Sequence, residues 1–203
     1  KRMIQLSPMD MKARNKLIDQ LVARGQVDDA IREYIELADI YYRLAELDNA
    51  RKTYTTALRV VQQAGADRQW NVHILQRMAD IDMQRLDWKQ ALRVFEQIRT
   101  LRPEDKIVRR NLVELNLRMA RSEQALAELE NYLTYLEGNR QSADAIAFLE
   151  DLLIEHGDQP ALRRALAGLY QQAGRTTDAI AQLDAVGESL LGKGDKDGAM
   201  AAI

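Results

Sequence analysis

Cysteine is absent from the 203 residues. That excludes disulfides, thiolate metal sites and thiol catalysis. Proline is scarce, with three residues against ten glycines, so the chain carries long uninterrupted elements. Two Phe and two Trp leave a core to be built mostly from Leu, Ile, Ala and Val, which suits closely packed helices. No apolar run has the roughly 20 residues that a membrane-spanning helix needs, and no stretch alternates apolar and polar residues as a strand would. Neither sign of charge dominates. The formal net charge is −2, so no global field draws in nucleic acid or acidic lipid.

Catalytic chemistry is equally sparse. The two histidines, His73 and His156, are 83 residues apart and stand in no metal-ligand spacing, so no metal is expected. Gly192-Lys193-Gly194-Asp195 lacks the preceding strand and the spacing of a phosphate loop and reads as a turn. Nothing pairs a nucleophile with a base. The expectation is a non-enzymatic chain with no catalytic residue and no cofactor.

What is present is a repeated helical plan. Ile74 to Pro103 reads as two amphipathic helices joined at Leu86-Asp87-Trp88. Leu75, Met78 and Ala79 lie on the first helix, Ala91, Phe95 and Ile98 face inward on the second, and Pro103 ends it. Further helices are bounded by Ser7-Pro8 at the start, by Gly25, Gly65, Gly138, Gly157 and Gly174, and by expected caps at Ser122, Ser142 and Thr176. The alanine after each turn recurs regularly. Ala91 to Ala125 and Ala145 to Ala179 are steps of 34. Ala30 to Ala50, Ala125 to Ala145 and Ala179 to Ala199 are steps of 20, one helix plus one turn, so some helices serve two overlapping pairs. Ala50 to Ala91 is 41, which places a longer connection at 64–69.

Ala79, Ala91, Phe95 and Pro103, with the 34-residue step, resemble the tetratricopeptide repeat. The resemblance implies an all-α fold: a right-handed superhelical solenoid of antiparallel helix pairs, about 11 helices, in a single array over 1–203. It also implies a protein–protein interaction scaffold that binds a peptide or partner protein on a concave groove lined by the first helix of each pair. Co-chaperones of the family hold a peptide carboxylate with a Lys/Asn clamp. The corresponding positions here are Asn15 and Asp19, Gln76 and Asp80, and Arg110 and Glu114, so that clamp is absent.

Candidate partner-binding residues come from charge and from aromatics. Between Arg99 and Arg121 there are seven basic and three acidic residues. Arg109, Arg110 and Asn111 lie near the start of one expected groove helix, and Arg163 and Arg164 stand similarly on another. Together they outline a basic stripe for an acidic peptide or a terminal carboxylate. Tyr34 and Tyr41, in the tyrosine-rich first quarter, are the second candidate. The chain begins at Lys1 and ends in an apparent helix, which suggests a fragment of a longer chain. A ligand-sensing or oligomerising arm of a larger signalling or transcription-regulatory protein is therefore the alternative function. Self-association through the apolar Gly198–Ile203 segment is a further expectation. Neither a nucleic-acid partner nor a membrane is expected, and a cytoplasmic setting fits the lack of cysteine.

Overall fold

The computed structural model describes residues 10–156 and 159–201. They form eleven helices and no strand. The helices are α1 (Met11–Ala23), α2 (Val27–Arg43), α3 (Leu47–Ala64), α4 (Arg68–Gln84), α5 (Trp88–Leu101), α6 (Lys106–Arg118), α7 (Ser122–Gly138), α8 (Ser142–His156), α9 (Pro160–Gln172), α10 (Thr176–Gly192) and α11 (Lys196–Met200). The chain forms two compact units, residues 1–108 and 109–203. The expected start at Ser7-Pro8 and stop at Gly157, and the last two residues of the apolar tail, lie outside the described residues.

The turns explain the regularity. In eight of them one residue takes a left-handed conformation: Gly25, Ala45, Gly65, Leu86, Ala120, Arg140, Gly174 and Gly194. The next N–H then bonds back five residues, as in Gln26 to Leu21 O at 2.9 Å, Asp87 to Asp82 O at 2.9 Å and Arg175 to Tyr170 O at 2.8 Å. This is the Schellman closure, which satisfies carbonyls at the helix end and reverses the chain within three residues. Ser122, Ser142 and Thr176 therefore do not cap. Each is the first helical residue, because the closing turn places Arg121, Gln141 or Arg175 before it. The connection expected to be long at 64–69 is a three-residue turn, and the extra length lies in α3 and α4, of 18 and 17 residues.

Packing follows from small residues twelve apart. Ala38 and Ala50, Ala79 and Ala91, and Ala167 and Ala179 are buried, one on each helix of a pair. Their small side chains let the backbones approach, and larger neighbours such as Tyr54, Phe95 and Leu166 fill the space beside them. In the first unit the core runs through Ile18, Ile31, Ile74, Ile81 and Ile98. In the second, Leu129, Tyr132, Phe148, Leu149, Leu152 and Leu166 form one cluster. Within it Tyr132 meets Phe148 edge to face, with ring centroids 4.8 Å apart.

Polar groups bridge the helices at fixed registers. Arg14 pairs with Glu33, Arg109 with Glu128 at 2.8 Å, and Arg163 with Gln182 at 2.9 Å, each pair 19 residues apart. Arg51 holds the buried Asp82 with two parallel bonds, Nε to Oδ1 at 2.8 Å and Nη2 to Oδ2 at 2.9 Å, tying α3 to α4. Such forked pairs fix orientation as well as supplying energy. Asp82 would be costly in this core without its partner.

Candidate partner-binding groove

In the first unit α2 and α4 run side by side in the same direction. Three cross-links at increasing residue number establish this. Trp70 Nε1 donates to Asp28 Oδ1 at 3.3 Å, Arg77 approaches Asp39 at 3.9 Å, and Gln84 donates to the Tyr42 hydroxyl. At the start of the two helices the seam opens into a cleft of about 520 Å³, lined by Asp28, Arg32, Trp70, His73, Gln76 and Arg102 among others. Trp70 is half-buried there, while Arg32, His73 and Arg102 are exposed. Among the described residues neither His73 nor Arg102 has a side-chain partner, and Arg32 reaches only Asp29, at 3.4 Å.

Further along the seam Asp39, Tyr42, Tyr54, Arg77 and Asp80 line a smaller hollow. Tyr54 donates its hydroxyl to Asp39 Oδ1 at 2.5 Å. Burial and that bond raise the Tyr54 pKa well above the usual phenol range. Among the described residues the Asp80 carboxylate has no hydrogen-bond donor, and lost hydration on the groove wall holds it above the usual range, with Arg77 opposing the shift.

The basic stripe read from sequence does not assemble as expected. Arg109 is only 4 % exposed. It donates to Glu128 and to Asn131 Oδ1 at 2.8 Å and lies 5.3 Å over the Tyr132 ring. Its guanidinium is an internal fastening between α6 and α7, and a partner cannot reach it. Arg163 is half-buried and engaged by Gln182. Arg164 is exposed and Asn111 half-buried. Tyr34 and Tyr41 are both half-buried on α2, and burial, aided by Asp19, raises the Tyr34 hydroxyl.

Arg110 belongs to a cluster that no spacing in the sequence signals. It donates to Glu114 Oε1 at 2.8 Å and pairs with Glu155, while His156 Nε2 lies 3.6 Å from Glu114 Oε1. Ligand atoms of Glu114, Glu155 and His156 fall within 4.8 Å of one another, a donor set that suits a divalent cation. The Arg110 guanidinium, however, already bonds both carboxylates, and it holds the Glu155 carboxyl below its usual range. The arrangement is an ion-pair network between α6 and α8. In the first unit Arg32 and Trp70 carry no sequence signal of their own, His73 stood out only as a possible metal ligand and Arg102 only within the basic run from Arg99 to Arg121. Gln76 and Asp80 entered only as clamp positions. The spacing of half-buried Trp70 and Gln76 and exposed His73 and Asp80 between buried Val72, Leu75 and Ala79 was the available signal.

Comparison with known proteins agrees with the geometry. Tetratricopeptide-repeat signatures match residues 30–104 and 136–202. The chain belongs to the tetratricopeptide-repeat family. Proteins of this repeat family are generally scaffolds for protein interactions rather than enzymes. No curated protein sequence matches the chain significantly. Among solved structures it is similar to BtubC (BKLC) from P. vanneervenii, at a TM-score of 0.51 and 16% identity, over 100% of this chain and 87% of that one. It is also similar to YrrB, described as a TPR protein with an unusual peptide-binding site, at a TM-score of 0.43 and 14% identity, over 91% and 96% of the two chains. A tetratricopeptide repeat protein from Parabacteroides merdae gives a TM-score of 0.41 and 14% identity, over 95% and 90%. At these identities the likenesses concern the fold. Among the described residues of this repeat protein, no helix is long and apolar enough to cross a membrane.

Proposed function

We propose that this tetratricopeptide-repeat chain is a non-enzymatic interaction scaffold that holds a peptide segment of a partner protein along the α2–α4 seam of its first unit. The observation that carries this reading is the open cleft around Trp70, with the side chains of Arg32, His73 and Arg102 largely uncommitted beside it. A half-buried indole offers apolar area at little entropic cost, and arginines flanking an aromatic are typical of residues that dominate binding energy. The second unit offers less. Its Arg109 and Arg163 are spent on internal pairs and Arg110 on its own network.

The test is direct. Trp88→Phe leaves Trp70 as the sole indole. Peptides selected from a random displayed library are then titrated against this variant while its fluorescence is followed. A bound peptide should shift Trp70 emission, and Trp70→Ala should cost at least tenfold in affinity, the loss expected for a buried aromatic anchor. Peptides that bind without shifting the emission, and equally well to Trp70→Ala, would remove the site from this seam. A library that yields no binder, together with concentration-dependent association of the chain itself, would favour the oligomerising-arm reading.

A further inference from the structure

The seam is polar in a directional way. On α2, Arg32 and Asp39 are seven residues apart, and on α4 so are His73 and Asp80. Seven residues are two helical turns, about 10 Å along the axis. Because the two helices run in the same direction, the matching rows lie side by side. Arg32, His73 and Arg102 stand at the open end, and Asp39 and Asp80 lie two turns further on.

The carboxylates at the open end are engaged. Asp28 accepts from Trp70 Nε1, Asp67 caps α4 through Gln69 N at 2.8 Å, and Asp29 faces Arg32. All three lie at helix starts, where the first-turn amides offset part of their charge. The cationic groups of that end therefore keep donors to spare. At the other end the balance is reversed. Arg77 serves two carboxylates, Asp39 already accepts from Tyr54, and the Asp80 carboxylate has no hydrogen-bond donor among the described residues. Asp80 lines the hollow and shares the single guanidinium of Arg77 with Asp39, and desolvation raises its carboxyl against that cation. An ammonium or guanidinium brought by a ligand would relieve it.

We infer that the seam selects an extended peptide carrying a carboxylate and, about three residues away, a Lys or Arg. The carboxylate lies against Arg32, His73 and Arg102, and the cation against Asp80. The three-residue interval follows from an extended chain advancing about 3.3 Å per residue across the two-turn spacing. This rests on the groove reading above and specifies its ligand.

The probe is a set of capped peptide libraries, degenerate except for two fixed positions three residues apart: Glu and Lys in either order, Glu and Glu, Lys and Lys, or Gln and Gln. Either Glu/Lys order should bind about fivefold tighter than the other three in low salt, the effect expected of two exposed charge contacts, with the gap closing in high salt. Asp80→Lys should turn the preference toward Glu/Glu. That inversion is a gain of binding, which misfolding cannot imitate. Equal affinity for all libraries, or an Asp80→Lys variant with unchanged preference, overturns the inference. If binding still depends on Trp70, the groove reading survives that failure. If binding is indifferent to Trp70, both fall.

Discussion

Arg109 and Arg110 are neighbours in the chain with different tasks. About 100° of helix rotation separates them, so one turns toward α7 and the other lies beside Glu114 and Glu155. Their adjacency made both look like members of one surface stripe. The clue to their separation is position. Arg109 stands four residues before buried Val113, and Glu128 three after buried Ala125, the placing that Arg14 and Glu33 have around Ile18 and Ala30. Arg109→Ala would remove the guanidinium that buried Glu128 faces and should cost about 3–5 kcal/mol, measured by urea unfolding. Arg109→Met with Glu128→Leu should recover most of that loss, since a buried pair replaced by apolar groups is close to neutral. A double variant as unstable as the single one would show that the charges themselves are needed.

The turns allow a second test on single residues. Ala45, Leu86, Ala120 and Arg140 hold positive φ without being glycine. A Cβ in that conformation costs about 1–2 kcal/mol, and glycine gives part of the gain back as unfolded-state entropy. Ala120→Gly should therefore stabilise by about 0.5–1 kcal/mol in chemical denaturation. A loss would mean that the turn is held by something other than its backbone closure.

At the scale of elements, existence and order were legible because the information is redundant. Each helix carries an apolar stripe, a small residue opposite its neighbour and a stop. The seam between α2 and α4 was not, because it joins helices that are not consecutive. The partners Trp70 and Asp28, 42 residues apart, follow no short-range rule. Helix α4 also carries a pH signature. Asp80 is raised in the folded chain above its ordinary 3.8, so the folded state binds its proton more tightly than the unfolded state. Its contribution is fully favourable below 3.8 and is lost as pH rises through the raised value. Arg77, three residues before it on α4, and Asp39, across the seam on α2, are the charged groups that share its hollow. Asp80→Asn should match the parent in melting temperature near pH 3 and exceed it near pH 7. The gain should stay under about 1 kcal/mol, since solvent still screens a carboxylate that is only partly desolvated. A variant no more stable at neutral pH would mean that Asp80 is fully hydrated.

At the scale of the whole molecule, stability in a repeat chain is a sum of helix stabilities and neighbour interfaces. Helices flanked on both sides, α2, α3 and α4 in the first unit and α8, α9 and α10 in the second, should show the slowest amide hydrogen exchange, and five-residue α11 among the fastest. Uniform protection would contradict that nearest-neighbour accounting. The steps of 20 and 34 made this additive architecture visible in advance. The division at 108 and 109 was not visible, because it falls inside α6, whose sequence is continuous in character.

The 19-residue polar pairs have a consequence for how the chain reaches its structure. Arg14–Glu33, Arg109–Glu128 and Arg163–Gln182 use one pattern in three helix pairs, and only the last lacks an acid. During refolding, α9 meeting α7 would find a carboxylate at the place where its own partner offers a neutral amide. The chain thus contains an attractive wrong pairing, of the kind that traps repeat proteins on the way to the native state. Gln182→Glu would give α10 the carboxylate that α7 carries at that register and should shorten any slow refolding phase. The neutral glutamine trades traffic control on the folding route for one fewer charge at a half-buried position.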